Sequence, residues 1–190
     1  VLLGGAAYIR DTYIRKTKPH RYAWLIFLIL SVVSFSSQAA LGAKASLFFA
    51  GWFVINNIII TCLAFRKDGG YGGITKLNIF CLFLALVGIV LWKTTSSPLL
   101  ALLAVLIADA IGALLIVVKS YKEPHSETII MWILGLVASI FMGLSVGKID
   151  YALLAWPMYL FIANISIVSA IILGKKVHKK SCLLYTSPSP

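Results

Sequence analysis

The sequence predicts an all-α protein, a polytopic helical bundle in a membrane. Three observations predict it. Mean hydropathy is +0.97. Of 190 residues 61% are hydrophobic and 12% charged, half the charged share of about 25% that a water-soluble domain carries. The apolar residues gather into six runs, at 22–41, 46–65, 77–92, 98–118, 129–146 and 151–174. About 20 residues is the length at which a helix spans roughly 30 Å of hydrocarbon while satisfying its own backbone.

Taken in order, the opening Val1-Leu2-Leu3-Gly4-Gly5-Ala6-Ala7-Tyr8-Ile9 is apolar but too short to cross, and reads as the tail of a helix whose start is missing. The runs at 22–41 and 46–65 form a hairpin through a short loop with Gly42 and Lys44. A Gly69-Gly70-Tyr71-Gly72-Gly73 segment follows. No Lys-Ser/Thr follows it and no strand precedes it, so it reads as a flexible connector rather than a phosphate cradle. The run at 77–92 is short, and Ile74, Thr75 and a snorkelling Lys76 extend it. The runs at 98–118, 129–146 and 151–174 complete seven spans with the opening helix. The last ten residues, from Ser181 to Pro190, depart abruptly in composition, resemble translated adapter sequence, and are set aside from fold reasoning.

The net charge is +11, from 17 Lys and Arg against 6 Asp and Glu. On one side of the predicted spans fall 14 of the 17, in four groups around residues 10–21, 66–76, 119–122 and 175–180; the other side has Lys44, Lys93 and Lys148 alone. Lys and Arg mark cytoplasmic loops, so the N-terminus is predicted outside and the C-terminus cytoplasmic, in a cell membrane. The charge is then a topology signal with contact to anionic lipid, and no nucleic-acid partner is expected. Cys62, Cys81 and Cys182 form neither a disulfide framework nor a metal spacing. No acid, base, nucleophile and metal-ligand cluster stands out, so no enzyme and no cofactor are expected.

Lys18-Pro19-His20 recurs as Glu123-Pro124-His125, 105 residues on, and Gly42 relates to Gly147 by the same offset. Trp24 matches Trp132 at 108, and Trp52 matches Trp156 at 104. The repeat divides the chain into a first triplet (1–65), a connector and linker helix (66–93), a second triplet (94–175) and a basic tail (176–190). Three spans and one linker make an even number, so the triplets are parallel.

This three-plus-one-plus-three layout resembles the PQ-loop and SWEET superfamily, and transporters of vitamin precursors of the PnuC type share it. The resemblance covers about residues 1–175. Where the family's Pro-Gln pair is expected the chain has Ala6-Ala7-Tyr8 and Ala113-Leu114-Leu115, while an asparagine in the third helix of each triplet is kept, Asn56 or Asn57 and Asn164. It implies transport of a small polar solute, such as a sugar or nucleoside, by alternating access.

Candidate site residues are the polar minority within the runs. Asp109 is the only acidic residue inside a span, roughly 16 Å along its helix from Pro98 and so near the midplane. It reads as a protonatable or substrate-binding group, or as a neutral acid tying two helices. Ala104, Ala108 and Gly112 beside it read as packing. Asn56, Asn57 and Asn164 read as substrate ligands or as interhelical bonds. Trp52 and Trp156 share a face with Asn56 and Asn164 and read as an aromatic wall of a solute pocket, or as interface anchors. Trp24, Trp92 and Trp132 read as anchors. Gln38 reads as lining an entrance or as a headgroup-level hydrogen-bonding group, Pro157 as a kink or hinge, and His20 and His125 as pH sensors or as solvated loop histidines. The second functional class is a scaffold, receptor or lipid-handling protein in which these residues only lock helices. Self-association into a homo-oligomer is left open.

Overall fold

The computed structural model describes residues 2–40, 45–73, 75–94, 98–145 and 151–185, which excludes Gly42, Lys44, Gly147 and Lys148 and the side chains of Gln38, Trp92 and Ala104. Among the described residues every regular element is helical: α1 (Leu2–Tyr13), α2 (Arg21–Ala40), α3 (Ala45–Phe65), α4 (Lys76–Thr94), α5 (Pro98–Lys122), α6 (Ile129–Ser145) and α7 (Tyr151–Tyr185), with a 3-10 turn at Pro124–Ser126. These overlie the predicted runs; of the residues expected to extend the short third run Lys76 is helical, Thr75 is not and Ile74 lies outside the described residues, and α7 continues beyond the predicted end at 174. One described helix, over Leu154–Val177, is long and apolar enough to cross a membrane; the apolar helical stretches Arg21–Val32, Gly51–Phe65 and Ile129–Leu144 are shorter.

Local chemistry sets the ends. α1 stops where Arg15 takes a left-handed φ of 62°. That turn lets the Asp11 carbonyl accept from the amides of both Lys16 and Thr17, satisfying a helix terminus that would otherwise be orphaned. α5 opens on Pro98, at the helical position whose missing N–H costs nothing. α7 runs unbroken through Pro157, whose ring lies against Gly143 of α6.

The Gly69–Gly73 segment is not a loose connector. Tyr71 donates its amide to the Pro19 carbonyl at 2.8 Å and accepts from the Arg21 amide at 3.0 Å. The Arg21 guanidinium bonds the carbonyls of Ala64 and Gly72, and Asn78 bonds that of Gly73. An arginine with several fixed donors can strap a turn in this way, and composition alone does not reveal it.

The helices pack in a repeated pattern. α3 lies against α1 and α2, and α7 lies against α5 and α6. Across the middle, α1 meets α6 and α2 meets α5, while α4 rests on α5 and α2. The crossing points are glycines 108 residues apart. Gly4 sits on Met131 and Leu134 of α6, and Gly112 sits on Phe27 of α2. A Cβ on Gly112 would fall 2.7 Å from Phe27. Gly112→Ala is therefore expected to cost about 1–3 kcal/mol through displacement of that ring, measured by unfolding in detergent. Gly73→Ala, whose Cβ would meet nothing within 4 Å, is expected to leave stability unchanged.

An apolar core around Trp24, Ile26, Ile60, Ile116 and Ile171 is buried together with many polar groups. Asn56, Asn57, Asn78, Ser31, Thr61, Ser139 and Asn164 are buried among the helices. Exposed instead are Phe53, Ile58, Phe80, Phe83, Val90, Ile107, Leu114, Ile140, Phe141, Leu144 and Ile162. They come from α3, α4, α5, α6 and α7 alike, so apolar exposure is spread over the helices rather than confined to one patch.

Candidate functional site

Among the described residues two groups of polar side chains stand out, the first dispersed and the second connected. The first contains the residues that the sequence singles out, and hydrogen bonds do not join them into one site. Tyr159 of α7 donates its hydroxyl to Asp109 Oδ2 of α5 at 2.6 Å, and Trp156 packs on Tyr159 with ring centroids 5.8 Å apart. Asp109 and Trp156 are thus brought together through Tyr159, a residue that composition and periodicity do not mark. Asn57 donates to the Phe27 carbonyl of α2 at 3.4 Å. Asn164 donates to the Leu160 carbonyl of its own helix at 2.7 Å and lies against Gly135 of α6. Asn56 lies against Gly5 of α1, and its Oδ1 is buried without a hydrogen-bond partner. Trp52 is half-buried on α3. Among the described contacts none joins Asn57 to Asn164.

The second constellation lies at the end of the bundle where the α1–α2 and α5–α6 connections meet, and it centres on Glu127. Lys119 extends from the last turn of α5 and donates to Glu127 Oε1 at 2.8 Å and to the Ser126 carbonyl at 2.6 Å. Both side chains of this pair are 0% exposed. Tyr8 of α1 donates to the same carboxylate oxygen at 3.3 Å, and Trp132 Nε1 donates to Oε2 at 3.2 Å. Trp24 Nε1 in turn donates to the Tyr8 hydroxyl. Beside this group, Thr128 donates to Asp11 Oδ2 at 3.1 Å, the hydroxyls of Thr17 and Thr128 are hydrogen-bonded, and the Lys18 amide donates to the Ser126 carbonyl. Asp11 also takes the Arg10 guanidinium at 2.9 Å.

Two expectations are corrected here. Trp24 and Trp132 are not interface anchors: they are 2% and 7% exposed and flank Tyr8, with ring centroids at 5.0 and 6.2 Å. A buried indole needs an acceptor for its N–H, and Tyr8 and Glu127 supply them. His20 is not a solvated loop histidine either. It is buried, packs on Tyr71, and accepts the Ala23 amide through Nδ1 as the N-cap of α2. His125 is exposed.

Burial, and after it the nearby charge of Lys119, pushes the His20 imidazole down to about 4 from 6.5. Between those values the unfolded chain holds a proton that the folded chain does not. Stability is therefore fully present above pH 6.5 and falls as pH drops toward 4, by about 3 kcal/mol if the group acts alone. His20→Asn keeps the N-cap acceptor and removes the titration, so its unfolding free energy is expected to be flatter over this range.

The sequence carried one signal for this site. Asp11 and Glu127 are two of only six acidic residues, each at the edge of an apolar segment.

Set against known proteins, the chain matches no family model, no characterised protein and no solved structure.

Proposed function

We propose that this chain is a multi-pass membrane transporter that moves a small polar, uncharged solute, a sugar or nucleoside, by alternating access between α1–α3 and α5–α7. The observation that carries the reading is the repeated packing. The third helix of each triplet lies between the other two, and the triplets meet through α1 with α6 and α2 with α5, as a two-fold axis along the membrane normal requires of parallel repeats. The apolar exterior on α3 to α7 supports a lipid-facing surface. Exposed Arg10, Arg15, Lys16, Arg66, Lys67, Lys175 and Lys176 are the groups for anionic lipid on the cytoplasmic face, with the N-terminus outside and the C-terminus inside. The solute groups are Asn56, Asn57, Asn164, Trp52, Trp156 and Asp109, with Pro157 as the hinge of α7.

Uptake into vesicles tests it, with a panel of labelled sugars and nucleosides. Saturable uptake is expected, reduced at least tenfold by Asn164→Ala with unchanged thermal unfolding. Asp109→Asn keeps an acceptor for Tyr159 and removes the carboxylate. Retained uptake in that variant would assign Asp109 to tying α5 to α7. No uptake of any solute by the wild type, with both substitutions merely lowering stability, would favour the scaffold reading.

A further inference from the structure

We propose that the polar seam between the α1–α2 and α5–α6 connections is a cytoplasmic gate, closed in this structure, that opens by exchanging its cross-seam hydrogen bonds for water while Lys119 and Glu127 stay paired on one side. The proposal rests on the transport reading and adds to it which contacts must break.

Sorting the network by triplet shows where it parts. Lys119, Ser126, Glu127 and Trp132 all belong to the second triplet, and Tyr8 and Trp24 to the first. Among the described residues four hydrogen bonds cross between triplets: Tyr8 to Glu127, Thr128 to Asp11, Thr17 with Thr128, and the Lys18 amide to the Ser126 carbonyl. Each involves a hydroxyl, carboxylate, amide or carbonyl that water can serve in the open state, so the net loss per bond is small; the Tyr8 and Trp132 rings, 6.2 Å apart across the same seam, part as well. The ion pair is different, because separating it would strand a charge out of water. Its members share one triplet, so opening does not require that step. Deeper along the same seam the contacts change to Gly4 on Met131 and Gly112 on Phe27. Such small-residue crossings let helices approach closely and pivot. The two Pro-His connections that the repeat relates, at Pro19-His20 and Pro124-His125, are thus the two lips of one closure.

The test uses the protein in vesicles of one orientation, with Cys62, Cys81 and Cys182 replaced by serine and Met131→Cys as a reporter beside Gly4. A membrane-impermeant maleimide is applied from the cytoplasmic face. Thr128→Val removes two of the four cross-seam bonds and is expected to raise the labelling rate about tenfold. Thr17→Cys with Thr128→Cys, oxidised to a disulfide, is expected to lower the rate below background, and reductant to restore it. A rate unchanged by both manipulations would overturn the gate. Solute uptake separates the two readings. Uptake that persists in the cross-linked protein would overturn the gate and leave transport standing. Labelling that responds as expected, in a protein that takes up no solute, would retain a moving seam and remove the transport reading.

Discussion

Replacing Lys119 by methionine is expected to destabilise the fold by about 3–5 kcal/mol. The lysine and Glu127 are both 0% exposed and 2.8 Å apart. Removing one member leaves the other as an uncompensated charge with only the Tyr8 and Trp132 donors to hold it. Adding Glu127→Gln is expected to recover a large part of the loss. A glutamine carbonyl in the Oε2 place still accepts from Trp132, its NH2 then faces the Tyr8 oxygen in place of the acceptor that Tyr8 had, and no net charge remains buried. The double-mutant cycle, followed by denaturant unfolding in detergent, reads the coupling directly. A single-mutant loss below 1 kcal/mol would mean that the pair is hydrated in solution.

The second large effect concerns Trp24. It is 2% exposed, packs on Tyr8 with ring centroids 5.0 Å apart and planes tilted by 41°, meets Phe27 edge-on at 5.8 Å and bonds the Tyr8 hydroxyl. Trp24→Ala empties the middle of the core cluster and is expected to cost about 3–5 kcal/mol. Trp24→Phe retains most of the ring packing and loses the indole N–H, so a smaller loss is expected. Were Trp24 an interface anchor, alanine would shift its depth in the bilayer with little change in unfolding, which the same measurement distinguishes.

The helices were legible in the sequence because long apolar segments advertise themselves through length and content. The site was legible only in part. Asp109 and the three asparagines stand out because polar groups are rare in such runs, yet the partner that positions Asp109, Tyr159, is an aromatic residue like many others. The Glu127 network was missed for a related reason. Lys119 counts among the basic residues that mark a cytoplasmic end, and nothing local distinguishes a lysine bathed in water from one folded back onto a carboxylate eight residues away. Trp24 and Trp132 sit at helix ends, where an amphipathic ring serves an interface and a buried hydrogen-bond network equally well. Their role is decided by Tyr8 of α1 lying against both rings, a neighbour remote in sequence from Trp132 above all. The strapping of the Gly69–Gly73 turn by Arg21 is likewise long-range and leaves no local trace.

All of the functional readings depend on the bundle crossing the bilayer several times with its triplets parallel. Sided labelling of single cysteines in a cysteine-free background examines this. Lys67→Cys, His125→Cys and Lys176→Cys are expected to react with an impermeant maleimide only from the cytoplasmic side, and Lys44→Cys and Lys148→Cys only from the outside. Reaction of all five from one side would contradict the topology and the transporter built on it.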